Sequence, residues 1–380
     1  MYSLREFGHM IRDSVRIGAF ERAISSAVSP GDVVVDIGTG TGIFALMACR
    51  HGARHVYAID TNPLTATGPE FAAANGFGDR ITFIQGDSRH VTLPERGDVV
   101  IGDIRGRLPG FQGAVDTFRD ATERMLRPGG TIIPEKDTVF VAAVCDGDKY
   151  DYEVCSPWMS NELGLDLSAA MPTIASTMMA DRIEDPRTLL DPQPWVTLDY
   201  VAGTLFKEPT LRFSSEVDRT VHFLALWFDT ILHDDIGFSN APGAESPAVY
   251  NHLLLPFSEP VELKANDVLC VSLRADPLTD DYICAWDSSV TRLGVEGPLL
   301  QRRQSTFDSL PIHEVAKRAA SFKPDIGERG RAIATALRLL CDHRPVGEVA
   351  TRVQQEYSDV LPTDASALSL VANLSQLYSR

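Results

Sequence analysis

Several features that commonly betray function are scarce in this sequence. Its six cysteines (Cys49, Cys145, Cys155, Cys270, Cys284 and Cys341) include no close pair, which argues against a zinc site, any other metal centre or a disulfide framework and suits a reducing cytosol. No apolar run is long enough to cross a bilayer, and the N-terminal MYSLREFGHMIRDSVR carries acids and a histidine where a signal peptide would be unbroken and apolar. A cytoplasmic chain without a membrane partner is expected. Positive charge is also short: 35 Lys and Arg stand against 52 Asp and Glu, a net charge of −17. That balance repels nucleic acid unless a local basic patch overrides it. Internal repeats and low-complexity tracts are absent, which excludes a repeat architecture. What remains is a chain of 380 residues, longer than one typical domain, so two or three folding units are expected.

The order of apolar segments divides it. From about residue 31 to 134 the runs DVVVDI, HVYAID, ITFIQG and DVVIGD alternate with helical patterns such as FALMACRHG and GAVDTFRDATERML, the pattern of a parallel sheet covered on both faces. After Pro134 the runs TVFVAAV, WVTLDYV, RTVHFLALWF, HLLLPF and DVLCVSLRA follow one another without intervening helices, which indicates an antiparallel sandwich or barrel. Near residue 328 the pattern turns helical. Ile333, Ala336, Leu337, Leu340 and Cys341 share one face, Val346, Val349 and Val353 a second, and Leu368, Val371, Leu374 and Leu377 a third. The predicted fold is α/β: a doubly wound Rossmann-like domain (1–134), an antiparallel β-barrel domain (135–305) and a small helical C-terminal module (328–380). That module resembles the helical part of winged-helix, peptide-binding proteins; its alternative is a three-helix cap.

The densest signal is VVVDIGTGTGIFALMA at 33–48. Gly38, Gly40 and Gly42 follow a predicted strand and open a predicted helix, where backbone without Cβ lets a ligand approach closely. Asp36, two residues before the first glycine, would oppose a pyrophosphate but accept from an ammonium, directly or through water. Asp60 ends the second strand, from which an acid reaches ribose hydroxyls. Asp87, with Ser88 beside it in QGDS, follows the third and can accept from an adenine amino group. Ammonium, ribose and adenine without phosphate describe S-adenosylmethionine.

With these residues in place, the chain resembles a class I methyltransferase and, more narrowly, the protein arginine methyltransferase family, from about residue 4 to 290. HMIRDSVRIGAFERAI resembles the family's lid motif; the resemblance implies that Met10 covers the adenosine and Arg16 pairs with the methionyl carboxylate. GLDLS resembles part of a dimerisation arm (156–195), which implies a homodimer. Two departures stand out. Where the family places two glutamates that clamp a guanidinium, GDIRGRLPGFQGA puts Asp103 and Gln112. Arg105 replaces a methionine and Arg107 lies nearby; both are expected to hold an acceptor carboxylate, the alternative being a solvated basic loop. In FSNAPGAESPAVYNHLLLPF, Tyr250 and Asn251 stand where the family has histidine and tryptophan, with His252 one place later; Tyr250 and His252 are candidate acceptor-binding residues, His252 also a candidate base, with a purely structural histidine as its alternative.

The altered acceptor loop beside an intact cofactor loop leads to the expectation of an S-adenosylmethionine-dependent N- or O-methyltransferase. The expected acceptor is a small molecule, amino acid or peptide in a specialised pathway, with Asp103 and Gln112 facing the methyl group. Protein arginine methylation is one alternative. A non-catalytic cofactor-binding scaffold with a peptide-recruiting tail is another.

Overall fold

Alternating apolar strands and helices call for a covered parallel sheet, and the computed structural model contains one; it describes residues 2–110, 113–202, 209–245, 249–278, 281–309, 317 and 321–378. The chain forms two compact units, Met1–Leu310 and Pro311–Arg380. In the first, β1 (Val33–Ile37), β2 (His55–Asp60), β3 (Ile81–Gln85), β4 (Gly97–Gly102) and β5 (Leu126–Ile133) make one sheet in the order β3-β2-β1-β4-β5. All neighbouring pairs are parallel. β1 is buried along its whole length, as a run of VVVDI must be when helices cover both faces. Helices α2 (Ser14–Ala27) and α3 (Ile43–Arg50) bring Phe20, Ile24, Phe44 and Ala48 to one apolar cluster. The helix Ala114–Arg124 brings Phe118 and Ala121 to another. Strand order reverses between β1 and β4, so their C-terminal ends open the crevice in which such sheets place ligands.

A short helix, α1 (Leu4–Arg12), precedes α2. Ser3 and Glu6 form a capping box at its start. Asp13 ends it and caps α2, its Oδ1 accepting from the Arg16 amide at 3.2 Å.

The rest of this unit is antiparallel. β6 (Lys136–Val144), β7 (Met179–Asp181), β8 (Leu189–Asp199), β10 (Arg219–His233) and β12 (His252–Leu263) form a sheet ordered β7-β12-β10-β6-β8, and β11 (Ile236–Ser239) adds to β10. β9 (Thr210–Ser214), β13 (Val268–Leu278), β14 (Asp281–Thr291) and β15 (Leu300–Ser305) form a second sheet ordered β15-β14-β13-β9. Val139, Leu224 and Phe257 of one sheet share a core with Leu269, Leu273 and Trp286 of the other, and this core runs on to Val100 and Phe118. The two halves are therefore fused by common burial.

In the second unit, the helices Glu328–Cys341, Val346–Glu356 and Asp364–Tyr378 enclose Ala332, Ala336, Val349, Val353, Ala367, Val371 and Leu374. The expected faces supply this core: Ile333, Ala336, Leu337, Leu340, Val346, Val349, Val353, Val371 and Leu374 all belong to it or pack on it, whereas Cys341, Leu368 and Leu377 at its margins are exposed.

Gly237 sits where β11 turns back on β10, and a Cβ there would collide with the carbonyl oxygen of Thr230. Gly237→Ala should destabilise the chain by about 1–3 kcal/mol, the usual cost of overpacking, read as a lower denaturation midpoint in urea.

Candidate active site

The glycine loop leaves β1 and is stitched to the end of β2. Gly38 N–H donates to the Ile59 carbonyl at 2.8 Å. Gly40 N–H donates to Asp60 Oδ2 at 2.7 Å, and Asn62 N–H to Asp60 Oδ1 at 2.7 Å. Gly40 has φ +56°, and a Cβ there would strike the Phe7 ring of α1, so the lid helix closes directly over the loop. Gly42 has φ 92° and begins α3. Below the loop a cavity of about 490 Å³ opens, with Met10, Arg16, Asp60, Asp87, Ser88, Asp103 and Tyr250 in its wall. Its size suits a small cofactor.

The three strand-end acids divide in role. Asp36 is wholly buried; its Oδ2 accepts from Thr39 Oγ1 at 2.5 Å and from the Ala45 amide at 3.1 Å, while Oδ1 has no partner. Burial first, and the nearby Asp60 charge as well, push its pKa up to about 7. Asp60 faces the cavity. Asp87 also reaches the wall, but Arg89 holds both its oxygens, Nε on Oδ1 at 3.0 Å and Nη2 on Oδ2 at 2.7 Å. It is thus not the free acceptor for an adenine amine that its position in sequence suggests.

At the end of β4 the expected acceptor loop has a different construction. Asp103 Oδ2 accepts from Arg16 Nε at 2.5 Å and Oδ1 from Arg105 Nε at 3.0 Å. The Tyr250 hydroxyl lies 2.7 and 2.8 Å from its two oxygens. Arg105 Nη2 adds an ion-pair approach to Oδ1 at 2.9 Å without hydrogen-bond alignment. Arg105 itself is fully buried. Its Nη1 donates to Asp137 Oδ1 at 3.1 Å and to Thr230 Oγ1 at 2.8 Å, and the rings of Phe20, Phe228, Phe238 and Tyr250 surround its guanidinium at 5.2–5.8 Å. The Tyr200 hydroxyl donates to Asp137 Oδ2 at 2.7 Å. Burial alone would raise the Asp103 pKa, but the Arg105 and Arg16 charges and the Tyr250 hydroxyl outweigh it and hold the carboxyl well below the usual range. Burial likewise raises the Tyr250 phenol, and Asp103 adds to it.

Several expectations are corrected here. Arg105 is an internal counter-ion to two aspartates and reaches no acceptor carboxylate. Arg107 is exposed and lies outside the cavity wall. His252 is buried with both ring nitrogens engaged, Nδ1 accepting from the Ile183 amide at 2.9 Å and Nε2 donating to the Asn240 carbonyl at 2.8 Å. It holds β12 to its neighbours and has no nitrogen left to act as a base. Gln112 lies outside the described residues. Asp137, Tyr200 and Thr230 escaped sequence reasoning; the available signal was an acid, Asp137, just ahead of the apolar run of β6.

Comparison with known proteins fits this geometry. A family profile described as the TRM5/TYW2 methyltransferase domain matches residues 12–132. A protein arginine N-methyltransferase 1 of Chlamydomonas reinhardtii is 30% identical over 248 residues, 62% of this chain and 71% of that protein. The chain belongs to the protein arginine N-methyltransferase family. A probable histone-arginine methyltransferase CARM1 of Oryza sativa subsp. indica is 32% identical over 279 residues, 68% of this chain but 52% of that protein; the chain spans about half of such longer members. In fold, it is similar to the Trypanosoma brucei PRMT1 enzyme-prozyme complex with AdoHcy, with TM-score 0.69, 22% identity and coverage of 80% of this chain and 98% of that one.

The residues present fit the family's S-adenosylmethionine. The loop brings Gly38, Thr39 and Thr41 to the cavity wall, where Asp60 offers a carboxylate at the end of β2 and Arg16 a cation; Asp36, expected to meet the cofactor's ammonium, is instead buried outside that wall. An acid whose folded pKa is raised costs folding free energy progressively as pH climbs from its ordinary value towards the raised one. Asp36→Asn should therefore gain stability over the parent as pH rises from about 4 to about 7, with little difference below. Thermal melts of both proteins across that window measure it, and a constant offset would refute the assignment.

Proposed function

We propose that the chain transfers a methyl group from S-adenosylmethionine to a nitrogen of a peptide-borne arginine. The names of its relatives support an arginine acceptor better than the small molecule expected from the acceptor loop alone. The observation that carries the reading is Asp103: a carboxylate at the position of the family's first acceptor-clamping glutamate, in the wall of the cofactor cavity.

When bound, the cofactor supplies a sulfonium methyl. The chain's own work is alignment and exclusion of water. Phe7 of α1 covers the glycine loop, Asp60 holds the nucleoside side, and Arg16 supplies a cation for the amino-acid end. The Arg105 and Arg16 charges favour the ionised form of Asp103, which makes it a poor proton acceptor. Its role is to orient a donor N–H and to balance charge in the displacement; the methylated guanidinium then releases one proton to bulk water and keeps a single positive charge.

We also propose a second copy of the chain as partner. The segment after β6 leaves Tyr152, Met159, Leu163 and Leu165 at least 59% exposed, an apolar surface of the kind that marks an interaction site. Sedimentation should give twice the monomer mass, and a monomer at micromolar concentration would remove the proposal.

With labelled S-adenosylmethionine and arginine-rich peptides, label should enter the peptide. Asp103→Asn, which keeps shape and removes charge, should cut turnover by about a hundredfold or more, the scale of losing a charged group that acts in the transition state. Full activity in that variant would take Asp103 out of the mechanism.

A further inference from the structure

Four charged side chains meet at the acceptor end of the cavity: Arg16 and Arg105 against Asp103 and Asp137. Their side chains are 9%, 0%, 3% and 0% exposed in that order, and their formal charges cancel. The other acids near them pair with neither guanidinium: Asp13 accepts from the Arg16 and Val249 amides, Asp60 from the Gly40 and Asn62 amides, and Asp36 from the Thr39 hydroxyl and the Ala45 amide. A cationic acceptor entering here meets a neutral cluster, and stripping water from a guanidinium without a counter-charge is strongly unfavourable.

The two arginines are not equally fixed. Arg105 is held by Asp103, Asp137, Thr230 and four aromatic rings. Arg16 contributes one side-chain hydrogen bond, to Asp103, lies over the Phe20 and Phe44 rings at 5.5 and 5.2 Å, and reaches the cavity wall. With fewer polar bonds and access to the cavity, which Arg105 lacks, its guanidinium is the member able to change partner.

We propose that Arg105 makes acceptor binding conditional on the cofactor's carboxylate: Arg16 leaves Asp103 for that carboxylate, and the cluster then carries one negative charge that an acceptor guanidinium neutralises. With an uncharged residue at 105, Arg16, Asp103 and Asp137 would already sum to −1 and the acceptor would bind without cofactor. Arg105 is thus a positioning residue that couples the two sites, and the coupling is reciprocal. The inference rests on the arginine-acceptor reading above.

The test is calorimetric titration of an arginine-rich peptide into the full chain, alone, with saturating S-adenosylhomocysteine, and with saturating 5′-methylthioadenosine, which keeps the nucleoside and thioether but lacks the carboxylate. S-adenosylhomocysteine should tighten peptide binding by about tenfold or more, within the usual range of coupling between sites, and methylthioadenosine should leave it within about twofold of the free chain. Equal tightening by both, or by neither, overturns the proposal. Arg105→Met, checked for folding by circular dichroism, should bind peptide without nucleoside as tightly as the parent does with S-adenosylhomocysteine; retained dependence in a folded variant also overturns it. The comparison of nucleosides on the parent stands if the variant does not fold. Methyl transfer to the same peptides separates the two failures. Peptides methylated but bound equally remove the coupling alone, whereas peptides neither bound nor methylated remove the acceptor assignment and the coupling with it.

Discussion

A guanidinium with no exposure to water governs the architecture of this unit. Arg105 lies after β4, Asp137 opens β6, Tyr200 follows β8 and Thr230 is on β10, so the cluster ties the parallel sheet to the antiparallel one through groups that must be paired. Buried ion pairs add little net stability, because desolvation offsets their attraction, but losing one member strands the other at a cost of about 3–5 kcal/mol. The cluster therefore specifies geometry more than it strengthens the fold. Any relative shift of the two halves would break several bonds at once.

Around that anchor the cavity is assembled from short sequence segments, each obeying a local rule. Positive φ at the loop glycines turns the chain from β1 into α3, and the Gly38 and Gly40 amides then find the Ile59 carbonyl and Asp60. The lid is set by caps: Ser3 and Glu6 start α1, and Asp13 starts α2. Phe7 is thereby delivered to the glycine loop. Asp36 is the exception, a carboxylate buried beneath the loop where the fold gives one oxygen no donor.

The parallel sheet was legible because its strands are short apolar runs parted by helices, and the loop residues Gly38, Gly40, Gly42 and Asp60 follow from strand-end position alone. The antiparallel half was half legible. β14 places Cys284, Trp286, Ser288 and Val290 inward at alternate positions, yet a serine and an intervening aspartate disguise the period. β15, LQRRQS, offers no apolar signal at all. The acceptor end misled because loop position says nothing about direction: Arg105 and Arg107 are two residues apart, and one is buried among aromatics while the other is exposed. Pairing across 32 residues with Asp137 and 125 with Thr230 is a tertiary fact that no local pattern encodes.

Asp13 holds two things together with one side chain: Oδ1 receives the first turn of α2 and Oδ2 the Val249 amide of the loop before Tyr250, at 3.0 Å. The junction of α1 with α2 and the stretch of cavity wall formed by Val249 and Tyr250 consequently share a single pin. Replacing the loop around Val249 would therefore disturb the start of α2, and with it Arg16, as well as the wall itself.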